Sequence, residues 1–322
     1  MLRYFTIFIL LTLLGYLYDK YKLKQESHDE LTKYDLVKNF ILNDDTNLSG
    51  KPILWIHNDY KTNARWWPSF FSRNTNYLNQ PYLQLCVESI INCCGNSFNI
   101  CLIDDNSFRK LIPDWKTDFN TIANPIKTHM RTLAMSRVLY YYGGILIPNS
   151  TLVLKDLINL YNKNLTSQDV FTFECIDRNS TSTYTSFFPN IKLLGCKKHS
   201  PTIKALIHYL EVITSQDYTS EMDFLGQTNR WLFEQCQENK IGIIGGDKIG
   251  TKNIHNKPVY IEDLLGNSYI PYDESSLHAI YLPADEILSR TKYAWFARMS
   301  PQQVLQSNTI IAKYFILSQG SK

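Results

Sequence analysis

Two acids in a row, Asp104 and Asp105, close the apolar run FNICLIDD (Phe98 to Asp105). Open α/β sheets bind ligands beyond the carboxyl ends of their strands, so carboxylates placed there can hold a ribose or a cation. The same DDNS stretch is also turn chemistry, and a solvated turn is the equal alternative. A second polar cluster, His57, Asn58 and Asp59, follows the apolar run PILWI and reaches the same sheet edge. The long segment HNDYKTNARWWPSFFSRNTNYLNQ then supplies cations at Lys61, Arg65 and Arg73 and flat rings at Trp66, Trp67, Phe70 and Phe71. Such rings stack on sugars or bases, but they also cap cores or rest on membrane surfaces. Arg131 and Arg137 lie further on, in a segment of helical period. Preorganised cations of this kind can stabilise developing negative charge; as a bland alternative they are solvated surface charges.

Several other chemistries are excluded. IIGGDKIG (Ile243 to Gly250) has two adjacent glycines but lacks the spacing of a phosphate-binding P-loop. No serine-hydrolase elbow, zinc-protease helix or kinase set occurs. The 7 cysteines, Cys86, Cys93, Cys94, Cys101, Cys175, Cys196 and Cys236, contain no CxxC pair. An odd count inside apolar segments suits buried free thiols rather than a disulfide framework. A net charge of +3 over 322 residues gives no reason to expect nucleic acid as a partner. The Asn-x-Ser/Thr triplets at Asn47, Asn149, Asn164 and Asn179 decide nothing in a chain so rich in asparagine.

The elements that must position these groups read as an alternating α/β chain. PILWI is a buried strand. Leu83, Cys86, Val87, Ile90, Ile91 and Cys94 recur at i, i+3, i+4, i+7, i+8 and i+11, which predicts a helix stopped at Gly95. FNICLIDD is the next strand, and strand–helix–strand spacing of this kind implies a parallel pair with a right-handed crossover. A second helix is expected from Ile126 to Tyr142, with Ile126, Met130, Leu133, Ala134, Val138 and Tyr141 on its apolar stripe and Gly143 and Gly144 as its stop. Strands are expected at ILI, DVFTFECI, IKLLGC, IGIIGG, PVYIED and HAIYLP, with helices at TIKALIHYLEVI and MDFLGQTNRWLFEQC. The three parts of the chain are then 1–20, 21–50 and 51–322: an apolar segment, a polar stalk and one α/β domain.

The first part reads YFTIFILLTLLGYLY from Tyr4 to Tyr18, without a charge. It just reaches the length of a bilayer span. The residues beyond it do not suit signal-peptide cleavage, so an uncleaved single-pass anchor is expected. Lys20, Lys22 and Lys24 outweigh Arg3, which with the free cysteines favours a cytosolic main domain.

The order of motifs resembles a known family. An opening strand is followed by LCVESI, LIDD, a helix running into LYYYGG, and a short strand leading to LKDL. This is similar to the DXD-type GT-A glycosyltransferase superfamily, which includes capsular polysaccharide and initiating mannosyltransferases, and to uncharacterised relatives of large DNA viruses. The resemblance covers Pro52 to Leu157 well and Leu225 to Pro283 loosely. It implies a GT-A-like, Rossmann-like fold, with a mixed and mainly parallel sheet flanked by helices. It also implies a nucleotide-sugar donor, a glycan or protein acceptor, and a divalent cation.

This sequence departs from the family where the chemistry is concentrated. The metal-binding acids fall on Pro148 and Ser150, with Asn149 between them, and the family Asp and Arg that help hold the donor fall on Thr132 and Met135. The family's late His falls on Tyr281, with His278 three residues earlier. Mn²⁺ or Mg²⁺ is then expected only if its ligands lie elsewhere, and no cofactor besides the donor is implied. The donor-side candidates are His57, Asn58, Asp59, Arg65, Arg73, Asp104, Asp105, Arg131, Gly143, Gly144, Asn149, Ser150 and Tyr281. Arg131 sits one turn before Met135 on the same helix face and could replace the missing Arg. Asp223, in DFLGQTNRW, matches an acceptor-side acid and is the candidate general base. Two functions stay open: a transferase working without the strand-end metal, or a transferase scaffold kept for binding or structure.

Overall fold

The computed structural model describes residues 50–58, 80–176, 187–216 and 221–320. The expected membrane segment, most of the stalk and the aromatic loop with Asp59, Lys61, Arg65 and Arg73 lie outside this set. Among the described residues, no helix is long and apolar enough to cross a membrane.

Eight strands and eleven helices are described: β1 (Ile53–His57), α1 (Tyr82–Cys94), β2 (Asn99–Ile103), α2 (Phe108–Leu111), α3 (Ile126–Tyr142), β3 (Gly144–Leu146), β4 (Thr151–Val153), α4 (Ile158–Ser167), β5 (Val170–Ile176), β6 (Phe187–Cys196), α5 (Pro201–Ser215), α6 (Glu221–Gln237), β7 (Gly242–Ile244), α7 (Ile261–Leu265), β8 (Ala279–Tyr281), α8 (Ala284–Ser289), α9 (Ala294–Arg298), α10 (Pro301–Gln306) and α11 (Ile310–Gly320). The main sheet has the order β2-β1-β3-β6-β5-β7, and β4 and β8 form a separate pair. β1 is parallel to both β2 and β3, β5 is parallel to β7, and β6 alone runs against its neighbours. The architecture is therefore a mixed α/β fold, mainly parallel, flanked by helices.

The strand order reverses at β1. The chain passes from β1 through α1 to β2 on one side, then returns through α3 to β3 on the other. A crevice opens at such a reversal, beyond the carboxyl ends of the two strands. Two separate cores are present among the described residues. Ile53 and Trp55 pack with Leu133, Val138 and Leu139 of α3 and with Leu206 and Leu210 of α5. The other core joins Tyr82, Leu85 and Cys86 of α1 to Leu152, Ile280 and the C-terminal helices.

The return from α3 to β3 explains the Gly-Gly pair. Gly143 caps the helix at φ 66°, where Gly escapes the penalty of a Cβ. Gly144 has φ 102°, and a Cβ there would stand 2.2 Å from the Ile53 carbonyl oxygen. A side chain at 144 would thus hold β3 away from β1.

Four expectations change. PVYIED is not a strand: Pro258 makes only an isolated bridge to Lys252, and IEDLL is a short helix, because Asp263 accepts from the Tyr260 backbone N–H at 2.8 Å in a capping arrangement. HAIYLP is a strand, but it pairs with β4 and does not join the main sheet. The buried stripe of α1 is rotated by about one position, to Tyr82, Leu85, Cys86, Ser89, Ile90 and Cys94. Ser89 is drawn inside because its hydroxyl donates to the Cys86 carbonyl and accepts from Val153 N–H at 2.9 Å, which ties β4 to the helix. In α3, Ile126 is exposed whereas His129 and Met135 are buried.

All 7 cysteines are free thiols. Burial raises the pKa of Cys86 well above its ordinary value and pushes that of Cys94 up to about 12.

Candidate functional site

β1 and β2 end level, with His57 beside Ile103. Asn58 continues the ladder by donating its backbone N–H to the Ile103 carbonyl at 2.9 Å. On the other flank, Ile147 N–H donates to the Trp55 carbonyl at 3.1 Å, so residues 148–150 leave the sheet at the same edge. The parallel register thus gathers three separated segments, 57–58, 104–105 and 148–150, at one carboxyl edge.

The two acids divide their work. Asp104 closes a local turn: its Oδ1 accepts from Ser107 N–H at 3.0 Å and from Ser107 Oγ at 2.7 Å. Asp105 reaches outward to α3. Arg131 grips it with two bonds, Nε to Oδ1 at 2.7 Å and Nη2 to Oδ2 at 2.5 Å. His57 Nε2 lies 3.1 Å from Oδ1, and Lys127 Nζ lies 3.6 Å from Oδ2. Lys127 and Arg131 are four apart on α3 and therefore share a face. Burial alone would raise the Asp105 pKa, but hydrogen bonds from His57 and Arg131 and the guanidinium charge outweigh it, and the carboxyl is held well below the usual carboxylate range. An ionised carboxylate only accepts, so Nε2 of His57 carries the proton in this contact. The imidazole also stacks on Phe108, with centroids 5.5 Å apart and planes 7° from parallel. Phe108 in turn packs on Phe119 and Trp115.

The other sequence candidates fall in different places. Arg137 turns away to Glu211 at 2.6 Å and lies over the Trp115 ring. Asn149 donates its amide to Asn58 Oδ1 at 2.8 Å, bridging the two strands at the reversal point. Asn58 is 6% exposed. Ser150 is 2% exposed and donates its hydroxyl to the Leu282 carbonyl at 2.6 Å. Tyr281 sits opposite Thr151 at the end of β8, and burial raises its hydroxyl pKa well above the ordinary value. His278 immediately precedes the same strand; its Nδ1 lies 2.7 Å from the Ser276 carbonyl. Gly143 and Gly144 stand at the amino end of β3, across the sheet from His57. Asp223 belongs to α6, and its side chain is outside the described set.

A divalent cation does not fit the 148–150 turn. Pro148 has no side-chain donor, the Asn149 amide bonds to Asn58, and the Ser150 hydroxyl bonds to Leu282. Among the described residues, no three His, Cys, Asp or Glu side chains converge in a metal-binding group. Lys127 and Phe108 were not singled out in the sequence. For Lys127, the i, i+4 spacing to Arg131 was a visible signal.

No protein-family model matches this chain, and no curated protein matches it. Among solved structures it is similar to the galactosyltransferase LgtC in complex with donor and acceptor sugar analogues, with 14% identity and a TM-score of 0.32, over 60% of this chain and 73% of that one. It is also similar to the PaToxG glycosyltransferase, with 10% identity and a TM-score of 0.33, over 66% of this chain and 81% of that one. Neither likeness bears on the chemistry, and the functional reading rests on the site itself.

Proposed function

We propose that the chain is a GT-A-like glycosyltransferase that binds a nucleotide sugar at the carboxyl edge of β1–β3 without a cation at the 148–150 turn. One observation carries this reading. The Asp/Arg pair absent at Thr132 and Met135 has a counterpart assembled across the fold, Asp105 from the end of β2 and Arg131 from α3, beside His57. Among the described residues, Lys127 and Arg131 are two cations that face the Asp105 carboxylate. Positive charge held in a partly desolvated place suits a diphosphate, whose leaving oxygen gains negative charge as the glycosidic bond breaks. The polar groups of the aromatic loop, with Arg65 and Arg73, complete the donor side in this reading. Asp223 remains the proposed base for the acceptor hydroxyl, on a glycan or protein acceptor. Residues 4–18 are proposed to anchor the domain to a membrane.

A second reading is favoured by the inward bonding of Asn149 and Ser150. A scaffold that had lost catalysis could commit both side chains to structure, and the chain would then be a pseudo-glycosyltransferase acting by binding. Calorimetric titration of the full-length chain with UDP, GDP and their sugar conjugates separates the two. The transferase reading predicts binding that weakens roughly tenfold or more on Arg131→Ala, which removes the cation proposed to meet the diphosphate. Arg131→Lys keeps the charge and should recover part of the affinity. Absence of binding by every nucleotide would leave the scaffold reading.

A further inference from the structure

The edge of the sheet opposite the candidate site carries a row of lysines. β1 is entered from Lys51, whose carbonyl accepts from the Asn99 side chain at the start of β2. Two strands away, β6 ends at Cys196, level with Gly144, and runs on into Lys197, Lys198 and His199. That turn is fixed in place. Lys197 N–H donates to the Asp169 carbonyl at 2.9 Å, and His199 N–H donates to the Tyr140 carbonyl at 2.7 Å. Lys204 follows in the first turn of α5. Lys51, Lys197, Lys198, His199 and Lys204 are all exposed. Neighbouring strands stand about 4.8 Å apart, so β1 and β6 are separated by only about 10 Å along this edge.

The acids nearby are hydrogen-bonded or paired, although hydroxyl donors leave a carboxylate's charge in place. Asp169 accepts from the Ser200 and Thr202 hydroxyls, Asp156 from Ser97, and Glu238 pairs with Lys240 at 2.6 Å. Among the described residues, none of Lys51, Lys197, Lys198 and Lys204 makes an ion pair. The Tyr140 and Tyr141 rings stand edge-on to His199, with centroids at 5.2 and 6.5 Å. Lysines beside tyrosines are the composition of a membrane-surface contact. Residue 50, where the described part of the domain begins, lies at this edge.

We propose that this amino edge, built from Lys51, Lys197, Lys198 and Lys204 with Tyr140 and His199, docks on anionic lipid headgroups and so turns the candidate donor site away from the bilayer. The anchor reading of residues 4–18 supplies only the means of bringing the edge to lipid. The lysine row stands without it.

The test is lysine acetylation of the full-length chain, read by mass spectrometry, on vesicles of phosphatidylcholine alone and of phosphatidylcholine with phosphatidylserine. Lys51, Lys197, Lys198 and Lys204 should be protected several-fold by phosphatidylserine, and high salt should remove the protection, because exposed charges are screened within about 10 Å at 0.1 M salt. Lys127, at the other edge, should label equally on both vesicles. The combined variant Lys51→Gln, Lys197→Gln, Lys198→Gln and Lys204→Gln alters exposed side chains only, and should cut phosphatidylserine-dependent binding by about tenfold or more. Binding to phosphatidylserine vesicles but not to pure phosphatidylcholine would keep the inference and remove the anchor. Equal labelling on both vesicles, or protection of these lysines by an acidic polypeptide or RNA and not by lipid, would overturn it.

Discussion

The two edges of the main sheet are built on opposite principles. At the amino edge the backbone itself makes the fit: Gly143 and Gly144 adopt positive φ, and Gly144 lies against the Ile53 carbonyl with no room for a Cβ. At the carboxyl edge side chains make the fit. Asp105 is shared by Arg131, His57 and Lys127, and Asn149 bridges to Asn58. The first edge is a fixed frame. The second is a set of polar groups satisfied by one another, which a ligand can enter only by exchanging partners. LYYYGG thus serves the frame, while the candidate site depends on residues that are far apart in sequence.

The largest effect should come from the frame. Gly144→Ala combines a strained φ with a backbone clash, and should cost roughly 3 kcal/mol or more in urea unfolding of the full-length chain. A loss below about 1 kcal/mol would mean that β3 can shift away from β1, and the contrast between the edges would weaken.

Asp105→Ala should follow, at about 2 kcal/mol, because it removes a two-bond, charge-assisted partner of a largely buried guanidinium. The same group sets an acid dependence. The folded pKa lies below the unfolded value of about 3.9, so the stabilisation is complete above that value and is lost as pH falls through the folded pKa. The stability gap between the natural chain and Asp105→Asn should therefore narrow progressively below about pH 4. A gap that stays constant on acidification would show that the pairing with Arg131 contributes no differential stability.

Asn149→Ala removes one bridging hydrogen bond and should cost about 1 kcal/mol. It sharpens the comparison through a second readout. If Asn149 serves the β1–β3 crevice only by holding Asn58, nucleotide affinity should fall with Asn58→Ala to the same extent. A double variant no weaker than either single one would confirm the coupling.

The sequence showed the frame more clearly than the site. The α3 boundaries at Ile126 and Tyr142 followed from apolar spacing and the Gly-Gly stop, and the parallel β1–β2 pair followed from strand–helix–strand spacing. PVYIED misled because alternating apolar residues look like a strand, whereas the Tyr260 and Asp263 cap turns the segment into a helix. Antiparallel β6 and the β4–β8 pair depend on contacts between distant segments, which no local period encodes. The site has the same character. His57, Asp105 and Arg131 were each legible as candidates, but their convergence is a product of the sheet order. The inward turn of Ser150 depends on a carbonyl 132 residues away.

The central claim is that cationic side chains, and not a divalent ion at residues 148–150, hold the diphosphate. The most direct test is titration of the full-length chain with the tightest-binding nucleotide, once in a chelator and once with Mn²⁺. The account predicts the same affinity in both, and the same loss in both on Arg131→Ala. Affinity that appears only with Mn²⁺ would contradict it.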